Sequence, residues 1–232
     1  MRMSLAAFAR PFKLRAILGI IFAGIPIMEF FSQGYKMSCA FTAMEQSGEL
    51  PHWRNWKELF LFGLKSRAIQ LAWLAPAIIF FLLAWLDLRA VTPETIFDFQ
   101  SLQSLSNMLV TAFALLVIGA IFFPASVMNF VAEGRIKAAF SLSTFVRMFN
   151  RNYAAAWVIS LLYTLLVLGI LIAFFTYVLA PLLNLGGLTR TIATIISLPV
   201  ELLILFLPSI TIWTLFGEAW NKSMAREQVT RQ

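Results

Sequence analysis

The sequence predicts an all-α fold: a polytopic transmembrane helical bundle of about four full spans, a shorter broken or re-entrant N-terminal segment and two interfacial amphipathic helices. Three observations predict it. Hydrophobic residues make up 60% of the 232 residues and charged residues 12%, with a mean hydropathy of +0.83, whereas a soluble domain carries roughly a quarter charged residues. Four apolar runs reach the roughly 20 residues that a helix needs to cross a bilayer. They are Ala68 to Leu86, Leu105 to Val131, Tyr153 to Leu185 and Thr191 to Gly217. Third, a pattern recurs about one hundred residues on: Pro26, Glu29, Phe30 and Gly34 with Ala40-Phe41, then Pro124, Asn129, Phe130 and Gly134 with Ala139-Phe140. The repetition reads as a doubled membrane unit.

Taken in order, residues 1–15 form a basic arm with Arg2, Arg10, Lys13 and Arg15, and residues 16–88 form the first repeat unit. Its opening run, Ala16 to Phe31, is short and is interrupted by Gly19, Gly24 and Pro26. The basic lead suits a signal peptide, but Glu29-Phe30-Phe31 stands where small cleavage-site residues belong, so the segment is read as retained. Residues 105–185 form the second unit, with Pro181 marking the end of its second run, and 191–217 the final span before a tail at 218–232. The whole chain reads as a single membrane domain.

Basic residues set the orientation. Lys36, Arg54, Lys57, Lys65 and Arg67 lie in one loop region and Arg135, Lys137, Arg147 and Arg151 in another, so both are expected in the cytoplasm with the C-terminal tail. Asp87, Glu94 and Asp98 against Arg89 place the connection after Leu86 on the far side. The first run disagrees with this scheme, since its basic arm also belongs in the cytoplasm. Either it is a re-entrant hairpin with both ends cytoplasmic, or it spans fully and the arm lies outside.

The segments after each glycine carry aromatic and basic residues together. Trp53, Trp56 and Phe60 recur at helical spacing after Pro51, with Arg54, Lys57 and Glu58 beside them; Leu142, Phe145, Val146 and Phe149 do so beside Arg147 and Arg151. Indole rings and basic side chains both suit the bilayer interface. Such helices serve as in-plane elbows or as a docking surface for a partner or an anionic headgroup.

Gly34-Tyr35, Glu49-Leu50-Pro51, Trp53, Asn55-Trp56, Leu59-Phe60 and Gly63-Leu64, with Ala132-Glu133-Gly134 and Phe216-Gly217-Glu218-Ala219-Trp220, resemble the signature of a membrane-protein family, domain of unknown function 4013. Asn55 stands where that signature usually has Asp, and Glu29 where Asn is commoner. The resemblance implies a multi-helix bacterial or archaeal membrane protein and brings no activity with it.

Chemistry inside the bilayer would fall to Glu29, Asn129 and Glu201, because charge is costly there. If the two copies pack about a pseudo-twofold axis, Glu29 and Asn129 face each other near the broken helices and could hold a proton, a cation or a polar headgroup; the structural alternative is interhelical hydrogen bonding. One His and one Cys argue against a protein-built metal or haem site, so no cofactor is expected. His52 reads as interfacial, and Cys39 as a packing residue or a juxtamembrane acylation site. No Walker loop, dinucleotide fingerprint or nucleophile elbow is present, and an enzyme is not expected. The net charge of +7 lies beside apolar spans, so its counter-charge is lipid rather than nucleic acid. The expected function is a non-catalytic accessory or scaffold subunit that docks lipids, membrane partners or further copies of itself; the alternative is a small transporter with a polar site at the broken helices. The expected location is a bacterial or archaeal plasma membrane.

Overall fold

Runs of this hydropathy satisfy their backbone N–H and C=O groups in lipid only as helices. The computed structural model contains helices and no strands among its described residues, which are 6–12, 16, 19, 22, 25, 27–47, 49–90 and 99–230. In order these are α1 (Ala6–Ala9) with a 3₁₀ turn at Arg10–Phe12, α2 (Glu29–Met44), α3 (Trp56–Ala90) and α4 (Phe99–Glu133). A 3₁₀ turn at Ile136–Phe140 leads to α5 (Leu142–Met148), α6 (Arg151–Phe174), α7 (Ala180–Asn184) and α8 (Gly187–Thr230). Four segments are long and apolar enough to cross a membrane: Trp56–Arg89, Leu102–Glu133, Arg151–Asn184 and Leu203–Met224. The protein is an integral membrane protein.

One of these differs from the run read off the sequence. Pro181 does not end its span: a π-helical turn at Phe175–Leu179 precedes it and it opens α7. A proline removes one backbone donor and crowds the carbonyl four residues back, and a widened turn accommodates both. The last helix is unbroken from Gly187 to Thr230 and contains the whole run Thr191 to Gly217.

The helices divide into two layers along their length. Ala68 to Leu86 holds Gln70 as its only polar residue, and 19 residues at about 1.5 Å each match a hydrocarbon core of about 30 Å. The first three turns of α3, with Lys57, Glu58, Lys65 and Arg67, therefore stand in the headgroup layer. The core lies where α2, α4, α6 and α8 meet: Met37, Ala40, Met128, Phe130, Tyr153, Ala156, Leu215 and Ala219 are buried together. Beyond it the α3–α4 and α6–α8 hairpins present Leu71, Ile79, Leu109, Val110, Leu162, Leu166 and Ile195 outwards, as lipid-facing helices do.

The described residues of the N-terminal segment fold back along α2. Arg10 donates to the Cys39 and Thr42 end of α2, Ala16 is buried with Tyr35 and Cys39, and the Phe22 ring lies 6.3 Å from Phe31. The chain then turns at Ile27-Met28 and returns as α2, whose first residue, Glu29, pairs with Arg67. Contacts that run 10 to 39, 16 to 35 and 22 to 31 describe an antiparallel hairpin with both ends at the basic end of the bundle. The exposed Ile25, Ile27 and Met28 form its apolar tip, level with the start of the hydrocarbon. Gly24 and Pro26, expected to break the segment, lie outside the described residues, as do Arg2, Lys13 and Arg15.

Three glycines allow the helices of this layer to meet backbone to backbone. A Cβ on Gly34 would stand 1.9 Å from the Leu59 carbonyl oxygen, one on Gly63 1.8 Å from that of Phe30, and one on Gly217 2.4 Å from that of Ala40. Small residues at crossings permit this approach. Helix α2 is thereby clamped between α3 and α8.

The two copies of the sequence repeat differ at this point. Gly34 lies inside α2 against Leu59, whereas Gly134 has φ +70 just past the end of α4, where its N–H bonds to the Phe130 carbonyl at 2.7 Å. One glycine serves close packing and the other a left-handed C-terminal cap. The aromatic segments differ too. The second is a separate short helix, α5, but the first is continuous with the span α3, and Trp53 stands ahead of that helix.

Candidate functional site

Helix α3 begins where it does because of Asn55. That residue has φ 57, a left-handed conformation that Asn tolerates better than other side chains, and its Nδ2 donates to Glu58 Oε2 at 3.1 Å. The kink turns Trp53 inward, where it stacks on Tyr35 with ring centroids 4.1 Å apart and an interplanar angle of 7°. It leaves His52, Arg54 and Glu58 along one side of a groove of about 590 Å³. Leu61, Phe62 and Lys65 continue that side down α3, Ser38 and Phe41 of α2 form another, and Val131 and Gly134 close it from the end of α4. Arg54 and Lys65 have no acidic partner among the described residues. The groove thus joins an apolar floor to two unpaired cations in the headgroup layer.

Below it, at the hydrocarbon boundary, polar side chains bind helix to helix. Arg67 pairs with Glu29 and donates to Gln70 Oε1 at 2.6 Å; Gln33 Nε2 donates to Ser66 Oγ at 3.2 Å. Glu29 is therefore engaged by Arg67, and it makes no hydrogen bond to Asn129 among the described residues. Asn129 is 1% exposed and neither of its amide atoms has a hydrogen-bond partner among the described residues. The side chains of Glu201 and Arg147 lie outside the described ones. On the other side of α2, burial against Phe206, whose ring centroid is 5.2 Å from Lys36 Nζ, lowers the Lys36 pKa to about 8.

The expected docking residues separate into two groups. Phe145 is buried, edge-on to Trp73 and Phe122, and Trp53 and Phe60 are partly covered, Phe60 by Phe30 and Phe31. Trp56, Phe149 and Arg151 remain exposed at the basic end. The sequence placed Arg54 beside the interfacial aromatic residues, whereas Lys65 and Arg67 served only to set orientation; the Lys65-Ser66-Arg67 run at the foot of an apolar span was the available signal for a boundary site.

Of the signature residues, Gly34, Gly63 and Gly217 lie at helix crossings and Tyr35 and Trp53 form one stack, while Gly134 lies just past the end of α4. The sequence profile of a family described as protein of unknown function, DUF4013, matches residues 17–180. The chain belongs to this family. No curated protein and no solved structure matches it. In this DUF4013 protein the signature has a structural account: Gly34, Gly63 and Gly217 make the crossings, Tyr35 carries the Trp53 stack, Gly134 caps α4, and Pro51 is half-buried just before the kink. The Asp-to-Asn departure at position 55 falls on a residue that shapes the backbone.

Two predictions arise here. Asn55→Ala should lower stability by about 1 kcal/mol, since a left-handed non-glycine residue costs roughly that amount, whereas Asn55→Gly should be near neutral; unfolding midpoints in detergent compare them. Cys39 is fully buried and its thiol pKa is pushed up to about 12 by that burial. A maleimide should leave it unmodified in the native protein and label it fully on denaturation. Native labelling, or acylation of the folded chain, would contradict this packing role.

Proposed function

We propose that this protein is a non-catalytic scaffold or accessory subunit of the membrane, which docks lipids and membrane partners at its basic end. The observation that carries the reading is the division of its polar residues. Those at the hydrocarbon boundary are engaged in helix-to-helix contacts, Glu29 with Arg67 and Gln33 with Ser66. The open groove and the exposed Trp56, Phe149 and Arg151 lie together in the headgroup layer. The excess of Lys and Arg at that end favours a cytoplasmic position for it by the positive-inside rule, in the plasma membrane of a bacterium or archaeon. A transporter built on Glu29, Asn129 and Glu201 is the second reading, and the buried, unpaired amide of Asn129 is the observation that favours it.

The test is purification of the tagged chain from native membranes in gentle detergent, with mass spectrometry of what accompanies it. A protein at fixed stoichiometry that is lost from Trp56→Ala and Phe149→Ala variants of unchanged stability supports the docking reading. A chain that comes alone contradicts it. Asn129→Leu separates the second reading: a structural Asn without partners is replaced at little loss of stability, whereas a transport residue loses its flux.

A further inference from the structure

We infer that the groove beside Asn55 is a binding site for one singly anionic glycerophospholipid. Four observations meet there. The groove lies along the first turns of α3, from His52 ahead of the helix down to Lys65, two residues above the start of the apolar stretch at Ala68. A lipid in the leaflet at the basic end brings its phosphate to this height without leaving the bilayer. At the two ends of this groove Arg54 and Lys65 have no ionic or hydrogen-bonding side-chain partner among the described residues, while Glu58 accepts from Asn55. Lipid phosphate supplies the missing partner for both cations.

Charge balance selects among headgroups. Arg54 and Lys65 against Glu58 leave the Arg, Lys and Glu of the lining with one net positive charge, so a headgroup with one negative charge balances them. A zwitterionic headgroup leaves the positive charge in place, and a doubly charged one overshoots. A glycerol headgroup also offers hydroxyls that donate to Glu58, whose carboxylate faces the groove. The floor is apolar: Leu61, Phe62, Phe41 and Val131 lie where the glycerol backbone and the first methylenes of an acyl chain would run. Its volume of about 590 Å³ lies within the roughly 300–1,000 Å³ range of small-molecule sites. Soluble anions would use the cations but not this floor.

This site deepens the docking reading by naming a lipid for one part of that surface, and its test involves no protein partner. The full chain is purified in detergent, mixed with phosphatidylglycerol, phosphatidylethanolamine or phosphatidylcholine in mixed micelles, and analysed by native mass spectrometry for retained lipid. One phosphatidylglycerol should be retained about tenfold more strongly than phosphatidylcholine, on the basis of two basic contacts at the membrane surface. The R54Q/K65Q variant should lose that preference at an unchanged unfolding midpoint, and R89Q, at the opposite end of α3 from the groove, should keep it. Excess glycerol phosphate should not displace the lipid. Equal retention of the three lipids, an equal loss in R89Q, or displacement by glycerol phosphate would each overturn the proposal, the last by assigning the groove to a soluble phosphate ester. Should R54Q/K65Q prove unstable, L61E, which leaves both cations and charges the floor, must abolish retention for the proposal to stand.

Discussion

Gly34→Ala and Gly63→Ala are each expected to destabilise the protein by at least about 3 kcal/mol, and a larger side chain at either position should prevent folding. Overpacking a core costs about 1–3 kcal/mol when flexible side chains can yield. Here the added methyl would meet main-chain carbonyls at 1.9 Å and 1.8 Å, and only separation of α2 from α3 relieves the clash. That separation would also pull Glu29 from Arg67 and Gln33 from Ser66. Gly169 provides the contrast: it lies in α6, nothing stands within 4 Å of its added Cβ, and Gly169→Ala should be neutral or stabilising by roughly 0.5–1 kcal/mol. Thermal unfolding followed by tryptophan fluorescence in detergent would compare the three. Equal midpoints would mean that α2 and α3 do not cross closely.

Loss of Arg10 is the second large effect. Its side chain is 6% exposed and donates to the Cys39 carbonyl at 3.2 Å, to Thr42 Oγ1 at 3.4 Å and to the Ser47 carbonyl. These acceptors lie at the C-terminal end of α2, where carbonyls lack helical partners and a cation is favoured. Charge-assisted hydrogen bonds contribute roughly 1.5–3 kcal/mol each and buried acceptors are costly to strand, so Arg10→Met should lower stability by about 3 kcal/mol. Because the contact fastens the basic arm to α2, the same variant should expose the arm to protease at the level of residues 10–12. Arg151→Met, at an exposed arginine, should do neither.

Much of the fold is legible in the sequence because its strongest physical signal is local. An apolar stretch such as Ala68 to Leu86 has no soluble alternative, and the four spans follow from hydropathy alone. The basic lead of the first segment and the breakers within it already raised a hairpin as one of two arrangements, and Arg10 and Ala16 do lie against α2. Tertiary effects were not legible. Trp53, Trp56 and Phe60 fit helical spacing, but the left-handed Asn55 moves the start of the helix to Trp56 and turns Trp53 onto Tyr35. Gly34 and Gly134 are identical in sequence context four residues after Phe, yet one faces a neighbouring carbonyl and the other ends a helix. The groove arises where the ends of three helices meet, and no single segment of sequence encodes it. Of its two cations, Arg54 was visible beside the interfacial aromatic residues and Lys65 only as a marker of orientation.

The most direct test is the sidedness of the N-terminal hairpin. Single cysteines placed at Ala9, Ser47 and Gln228 in a Cys39→Ala background would be labelled with a membrane-impermeant maleimide in sealed vesicles of known orientation. All three should react from one and the same face, because the basic arm, the end of α2 and the end of α8 lie together at the basic end. Reaction of position 9 from the face opposite to position 47 would mean that the first segment crosses the bilayer, and the two-layer architecture and the headgroup-layer site would both fall.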